Sequence, residues 1–337
     1  MEINSLKNKK VLIIGGGGFI GHNLALELKN RNGSVEIIDS LEVNNYTSVL
    51  SNKDDLPFPE LSLKILDQRI KLLKKKNIPL HVLDARNYHS LSHKIDEIKP
   101  NVIVHLAAVS HANRSNKDPH STFDHSLRTL ENALDNSKNK IDHFIYFSSS
   151  MVYGNFEIGH VDEKTECNPI GIYGALKFSG EKMVIAYNQV FDLPYTIVRP
   201  SALYGERCIS RRVGQIFIEN AIYNKPIKIN GDGSEKLDFT YIKDLVNGVI
   251  NIIENKNSYN EIFNLTYGSA RPILDLVEIL NEYFPNIKIE KVKKDVLMPE
   301  RGTLSNDKIK DLLGFNSSWP IDEGYRDYID WYLSLKN

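Results

Sequence analysis

The chain has 337 residues, 41% hydrophobic and 25% charged, values that exclude a disordered, collagen-like or coiled-coil protein. At roughly 150 residues per domain this length suggests about two domains or one large α/β unit. Forty-two basic against forty-three acidic residues leave a net charge of −1, which gives no reason to expect nucleic acid as a partner. Short apolar, β-branched runs at Val11–Ile14, Val35–Ile38, Leu80–Leu83, Val102–Leu106, Phe144–Ser148 and Tyr195–Val198 read as strands. Between them, Gly21–Asn30, Ser90–Ile98, Thr122–Asn136 and Ala175–Val190 carry helical spacing. This alternation predicts an α/β fold, a Rossmann-type doubly wound parallel sheet. After about residue 200 the rhythm shortens. The expectation is one domain over 1–200 and a smaller interleaved C-terminal substrate-binding lobe over 201–337, part of which returns to the first domain around 239–265.

One stretch is longer than a minimal strand–helix–strand unit. Between Asp39 and Asp84 lies a polar loop, then Leu63, Leu66, Ile70 and Leu73 at helical spacing, ending in Lys71, Lys74, Lys75 and Lys76. The lysines read as a solvated face near a helix C-terminus, where the dipole favours cations. With only Cys167 and Cys208, no disulfide framework or zinc knuckle is expected. The polar, lysine-rich start reads as neither signal peptide nor membrane span, so the expected location is cytoplasmic, with no membrane partner.

Gly15, Gly18 and Gly21 form G-x-x-G-x-x-G directly after a strand and at the opening of a helix. Such a turn brings backbone N–H groups close to a pyrophosphate at the positive end of the helix. Asp39 closes the next strand, placed for a ribose 2′-hydroxyl. Ser40 and Leu41 follow it, so no adjacent arginine meets a 2′-phosphate and NAD is favoured over NADP.

Tyr173 and Lys177 stand at i and i+4, sharing one helix face, and Ser149 closes the run Phe144–Phe147 at a strand's C-terminal edge. Moving a hydride from a secondary alcohol also requires removal of the hydroxyl proton. A tyrosinate does this if its pKa falls from ~10 toward neutrality, and a neighbouring ammonium favours that form. A serine hydroxyl then holds the reacting oxygen.

The glycine spacing with Phe19 and Ile20, and the Ser149, Tyr173, Lys177 order, resemble the extended short-chain dehydrogenase/reductase family, specifically its nucleotide-sugar epimerases and dehydratases. The resemblance implies catalytic roles for Ser149, Tyr173 and Lys177, and cofactor contacts from Gly15, Gly18, Phe19, Ile20, Gly21, Asp39, Tyr173 and Lys177. It implies that Asp84 and Ala85 sit by the adenine and that Leu106, Ala107 and Ala108 pass beside the dinucleotide. Pro169, Gly174 and Val152-Tyr153-Gly154 match as well. A homodimer is the family expectation, with Phe178, Met183 and Ile185 on a shared face or in the core.

The segment Ser148–Gly154 discriminates among branches. Dehydratases of the family carry an acid two positions before Tyr-Gly; here that position is Met151, preceded by Ser150, neither of which exchanges protons. Reversible hydride transfer remains: an NAD-dependent epimerase acting on a nucleotide-diphosphate sugar, at C4, through a transient keto-sugar. A net oxidoreductase, a 4,6-dehydratase and a dinucleotide-sensing regulator stand as alternatives. Ser110 and His111 resemble the corresponding dehydratase segment, where His111 would be a substrate-side acid, a metal ligand or a structural loop residue. No carboxylate or cysteine stands at ligand spacing to it, so no metal is expected. His125 replaces the family asparagine that supports the catalytic lysine through a water.

On the substrate side the family arginine that clamps the diphosphate is Leu237 here. Leucine makes no charge-assisted fork. Arg301, within Pro299–Gly302, is the best remaining clamp, with Arg207 as a further substrate contact and Arg211, Arg212 and Lys236 in reserve.

Overall fold

The computed structural model describes residues 6–43, 45–51, 53, 56–109, 112–293 and 299–336. A seven-stranded parallel sheet runs through it, made of β1 (Lys10–Ile14), β2 (Ser34–Asp39), β3 (Leu80–Val82), β4 (Val102–His105), β5 (His143–Phe147), β6 (Tyr195–Arg199) and β7 (Glu261–Asn264). The spatial order is β7-β6-β5-β4-β1-β2-β3, with Val11 in register with both Val35 and Val102. The order reverses between β1 and β4, which opens a crevice at the carboxyl ends of those strands. The expected doubly wound sheet is therefore present.

Side chains alternate across the sheet, as a two-residue repeat requires. Ile13, Ile37, Val104, Ile145 and Val198 face one core, whereas Leu12, Ile14, Ile38, Ile103 and Phe144 face another. Both faces are covered, so β4 and β5 are buried throughout and read as unbroken apolar runs. The first face is packed by α1 (Phe19–Asn30) and α2 (Pro59–Lys75), the second by α3 (Tyr88–Ile98), α4 (Thr129–Ser137) and α5 (Gly171–Phe191).

Two local departures from the periodicity matter later. The stripe expected on α2 was Leu63, Leu66, Ile70 and Leu73; the buried residues are Ser62, Ile65, Leu66, Arg69 and Leu73. An arginine thus occupies the buried stripe, while Lys71, Lys74, Lys75 and Lys76 are solvated as expected. The helix expected over Thr122–Asn136 is broken by a π-helical turn, Asp124–Arg128, which re-aims His125.

Past β6 the chain continues through α6 (Val213–Ile222) and contributes to a cluster of Tyr204, Tyr241, Tyr325, Tyr328 and Tyr332. It then passes through α7 (Ile242–Glu254) and returns to add β7 beside β6, with Ile262 in register with Ile197. Among the described residues, no helix is long and apolar enough to cross a membrane, and no group of three or more His, Cys, Asp or Glu is placed to hold a metal ion.

Candidate active site

The crevice is a cavity of about 690 Å³, lined by residues from Ile14 to Arg301. Its walls include Gly15, Gly18, Phe19, Ile20, Gly21, Asp39, Asp84, Ala85, Leu106, Ala107 and Ala108 from the strand ends of the first lobe. Ser149, Ser150, Met151, Tyr173, Lys177 and Arg301 line the same cavity. The structure thus brings these sequence-selected residues together. Ser110 and His111 lie outside the described residues.

Arg207 is different. Its side chain turns away from the cavity: Nε meets His22 Nε2 at 3.0 Å, Nη2 donates to Asn23 Oδ1 at 2.7 Å, and Nη1 pairs with Glu206 at 2.7 Å. In place of the expected substrate contact, the Arg207 guanidinium grips His22 and Asn23 on α1.

The glycine turn has the shape a pyrophosphate needs. Gly15 has φ +83°, and a Cβ there would stand 2.6 Å from the Ala107 nitrogen. A Cβ on Gly21 would meet the Gly16 Cα at 2.4 Å, so helix and turn touch backbone to backbone. Gly18 caps α1 with no side-chain hydrogen bond, leaving the helix N–H groups free for an anion. Asp39 braces the turn: Oδ2 accepts from Gly17 N at 2.8 Å and Oδ1 from Leu41 N at 2.7 Å. Burial raises its pKa, and those N–H bonds oppose the rise. Each oxygen keeps a second acceptor direction for a ribose hydroxyl. These features fit a dinucleotide.

His125 is turned toward Glu42. Nε2 lies 3.1 Å from Glu42 and Nδ1 lies 2.8 Å from the Ser121 carbonyl, while Arg86 pairs with both Glu42 and Asp84. The ring bonds directly to these groups and makes no direct hydrogen bond to Lys177.

At the other end, Ser149 has extended backbone and its Oγ caps the 3-10 turn Ser150–Tyr153, accepting from Met151 N at 3.2 Å. Burial raises the Tyr173 pKa; the Arg212 guanidinium, a hydrogen bond with Ser149 and the Arg301 guanidinium pull it down. The Lys177 ammonium donates to the Phe147 carbonyl at 2.7 Å, and burial lowers its pKa to about 8, with Glu181 opposing. Beneath this floor lies a buried pair: Arg199 forks onto Glu181 at 2.9 and 2.7 Å, and Arg199 Nη1 also donates to the Tyr153 hydroxyl at 2.9 Å.

Arg301 reaches the cavity from a strand, Thr303–Leu304, paired in parallel with His160–Val161. That pairing is close because Gly302 passes Gly159 where a Cβ would clash with its carbonyl at 2.0 Å. Buried Asp238, adjacent to Leu237, holds the strand by accepting from Leu304 N at 3.0 Å. The Arg301 guanidinium donates to Ser150 Oγ and, at 3.0 Å, to Met151 Sδ, while its Nε has no partner. Burial lowers its pKa to about 10, and Glu235 opposes.

Arg212, held only in reserve from the sequence, also lines the cavity with a buried, unpartnered Nε. Lys228 stands in the same wall. The neighbouring Arg211 is taken by Glu219 at 2.5 Å. The cations facing the cavity therefore include Arg301, Arg212 and Lys228. Arg212 and Lys228 carry no recognisable spacing; the only signal for Arg212 was the arginine pair after Ser210.

Comparison with known proteins agrees with this geometry. Residues 11–266 match the family model described as NAD dependent epimerase/dehydratase family. The Bacillus subtilis (strain 168) protein YtcB, an uncharacterized UDP-glucose epimerase, is 28% identical, covering 97% of this chain and 98% of that protein. A Dictyostelium discoideum dTDP-D-glucose 4,6-dehydratase is 29% identical over 76% of this chain and 58% of its own length. The crystal structure of UDP-glucuronic acid 4-epimerase from Bacillus cereus, with UDP-glucuronic acid and NAD, superposes with a TM-score of 0.85 at 26% identity. It covers 97% of this chain and 99% of that one.

Proposed function

The chain belongs to the NAD dependent epimerase/dehydratase family, and we propose that within it the protein is a nucleotide-sugar 4-epimerase. The observation that carries this reading is the cavity wall beside Tyr173. Ser149, Tyr173 and Lys177 share one cavity with Ser150 and Met151, whose side chains accept hydrogen bonds from Arg301 and offer no acid for elimination. The similarity to the Bacillus cereus 4-epimerase supports the same reading.

When bound, the nicotinamide supplies hydride exchange at the sugar carbon. Everything else falls to the chain. Tyr173 takes the proton from the sugar hydroxyl and returns it at the end of the cycle. Arg212 and Arg301 favour the phenolate electrostatically, and the Ser149 hydroxyl steadies the reacting oxygen beside it. The Lys177 ammonium, fixed on the Phe147 carbonyl, keeps a positive charge at the foot of the same helix face. Arg212, Arg301 and Lys228 meet the diphosphate in place of the arginine replaced by Leu237. The cavity leaves room for the sugar to turn over and present its opposite face.

We further propose a homodimer in which α5, with Val190 69% exposed, packs against a second copy, and a cytoplasmic location consistent with free Cys167 and Cys208. The functional test is proton NMR in deuterated water with NAD and UDP-, GDP-, CDP- and dTDP-sugars. Interconversion of C4 epimers with no deuterium in the product and no net NADH is expected. Deuterium incorporation with loss of water would establish a dehydratase instead, and stoichiometric NADH a net oxidoreductase.

A further inference from the structure

Helix α2 lies outside the cavity wall, yet its one buried cation touches both lobes. Arg69 is 1% exposed. Its Nη1 donates to the Gly17 carbonyl at 3.2 Å, inside the glycine turn. Its Nε and Nη2 donate to the Arg207 carbonyl at 3.0 and 2.5 Å, inside the loop that leads to Ser210, Arg211 and Arg212. Arg207 answers by sending its own side chain back to His22 and Asn23 on α1. The two arginines cross, each holding the other's lobe.

We propose that Arg69 is a positioning residue that couples the dinucleotide turn to the substrate loop, so that the dinucleotide and the nucleoside diphosphate each tighten binding of the other. The turn is fixed on three sides: Arg69 and Asn45 Nδ2 both hold the Gly17 carbonyl, and Asp39 holds its N–H. The far side of the same guanidinium holds the carbonyl of Arg207, a residue at φ +63°, a state uncommon for residues other than glycine. A ligand that orders either segment therefore pre-orders the other, and such coupling is reciprocal.

Charge points the same way. The hydrogen bonds of Arg69 go to carbonyl oxygens, and no carboxylate forms an ion pair with it among the described residues. The buried Asp39 carboxylate, on the N–H side of the same Gly17, favours the Arg69 charge without a direct ion pair, and an anion settling on the turn adds to that support. Burial lowers its pKa only to about 10, so it stays charged at neutral pH.

The coupling rests on the nucleotide-sugar reading of the cavity, and the test separates the two. NAD affinity is measured by calorimetry with and without saturating UDP, or whichever of GDP, CDP and dTDP binds, in the wild type, Arg69→Gln and Arg69→Lys. In the wild type the nucleotide should tighten NAD about five- to tenfold. Arg69→Gln, which keeps amide donors but loses the charge, should weaken NAD about tenfold and abolish the tightening. Arg69→Lys, which keeps the charge but cannot span both carbonyls, should retain most NAD affinity and still lose the tightening. If Arg69→Gln does not fold, the wild-type and lysine measurements decide. Independent binding in the wild type, or undiminished tightening in either folded variant, overturns the coupling alone. Failure of all four nucleotides to bind overturns the nucleotide-sugar reading and the coupling with it.

Discussion

The Lys177 ammonium is fixed by the carbonyl of Phe147, 2.7 Å away, in a site where burial holds its pKa near 8. The unfolded chain binds that proton up to about pH 10.4, so between pH 8 and 10.4 the unfolded state carries more protons than the native one. Stability attributable to Lys177 therefore rises with pH across that window, by roughly 3 kcal/mol at its limit, and is lost as pH falls through 8. Urea unfolding at pH 7.5 and 9.5 should show the wild type gaining relative to Lys177→Met. Parallel pH slopes for the two proteins would contradict this.

Tyr173→Phe should lose turnover by about a thousandfold, as expected for removal of a positioned general base, while NAD affinity changes little. Calorimetry for NAD and NMR for turnover on one preparation give both numbers. A variant keeping more than a tenth of wild-type rate would assign the proton to another group.

Arg212 faces the cavity with an unpartnered Nε, a donor that suits an anion. Arg212→Leu should raise KM for the nucleotide sugar about tenfold to a hundredfold, the range for a lost charge-assisted hydrogen bond. Arg207→Leu, whose side chain lies outside the cavity wall, should raise KM far less. Steady-state kinetics on both variants makes the comparison.

The Arg199–Glu181 pair is almost wholly buried beneath the Ser148–Ser149 floor, with Ser148 Oγ donating to Glu181 at 2.5 Å. Glu181→Leu should cost about 3–5 kcal/mol, because it strands a buried guanidinium. Glu181→Leu combined with Arg199→Met should cost less than either single change. Urea denaturation of the three variants reads this out.

Gly15→Ala should weaken NAD at least tenfold. The alanine must hold φ +83° with its Cβ 2.6 Å from the Ala107 nitrogen, so the turn has to open. Gly231, where a Cβ meets nothing within 4 Å, is the control: Gly231→Ala shares the backbone strain at φ +66° but leaves NAD binding intact.

The sheet and the cavity's first wall were legible in the sequence for a physical reason. A strand buried on both faces has to be an unbroken apolar run, and a pyrophosphate turn has to be built of glycine, so Val102–His105 and Gly15–Gly21 declare themselves. Tyr173, Lys177 and Ser149 were legible because helix spacing and a strand end dictate where they point. Arg69 was not, since an arginine within a lysine-rich helix looks solvated until its phase relative to Leu66 and Leu73 is known. The direction of His125 depends on a π-helical turn that local spacing does not encode. The turn of Arg207 onto α1 depends on His22 and Asn23, partners far away in sequence that local spacing does not reveal.

Strand β7 gives the architecture a practical limit. Residues 261–264 complete the parallel sheet beside β6, although roughly sixty residues of the second lobe separate them in sequence. A fragment truncated at residue 200 would leave the β6 edge bare, with Ile197 and Val198 beside open backbone donors and acceptors. Such a fragment would self-associate rather than fold alone. Anyone wishing to exchange the segments after β6 must therefore keep the returning strand as part of the sheet, and replace only the segments on either side of it.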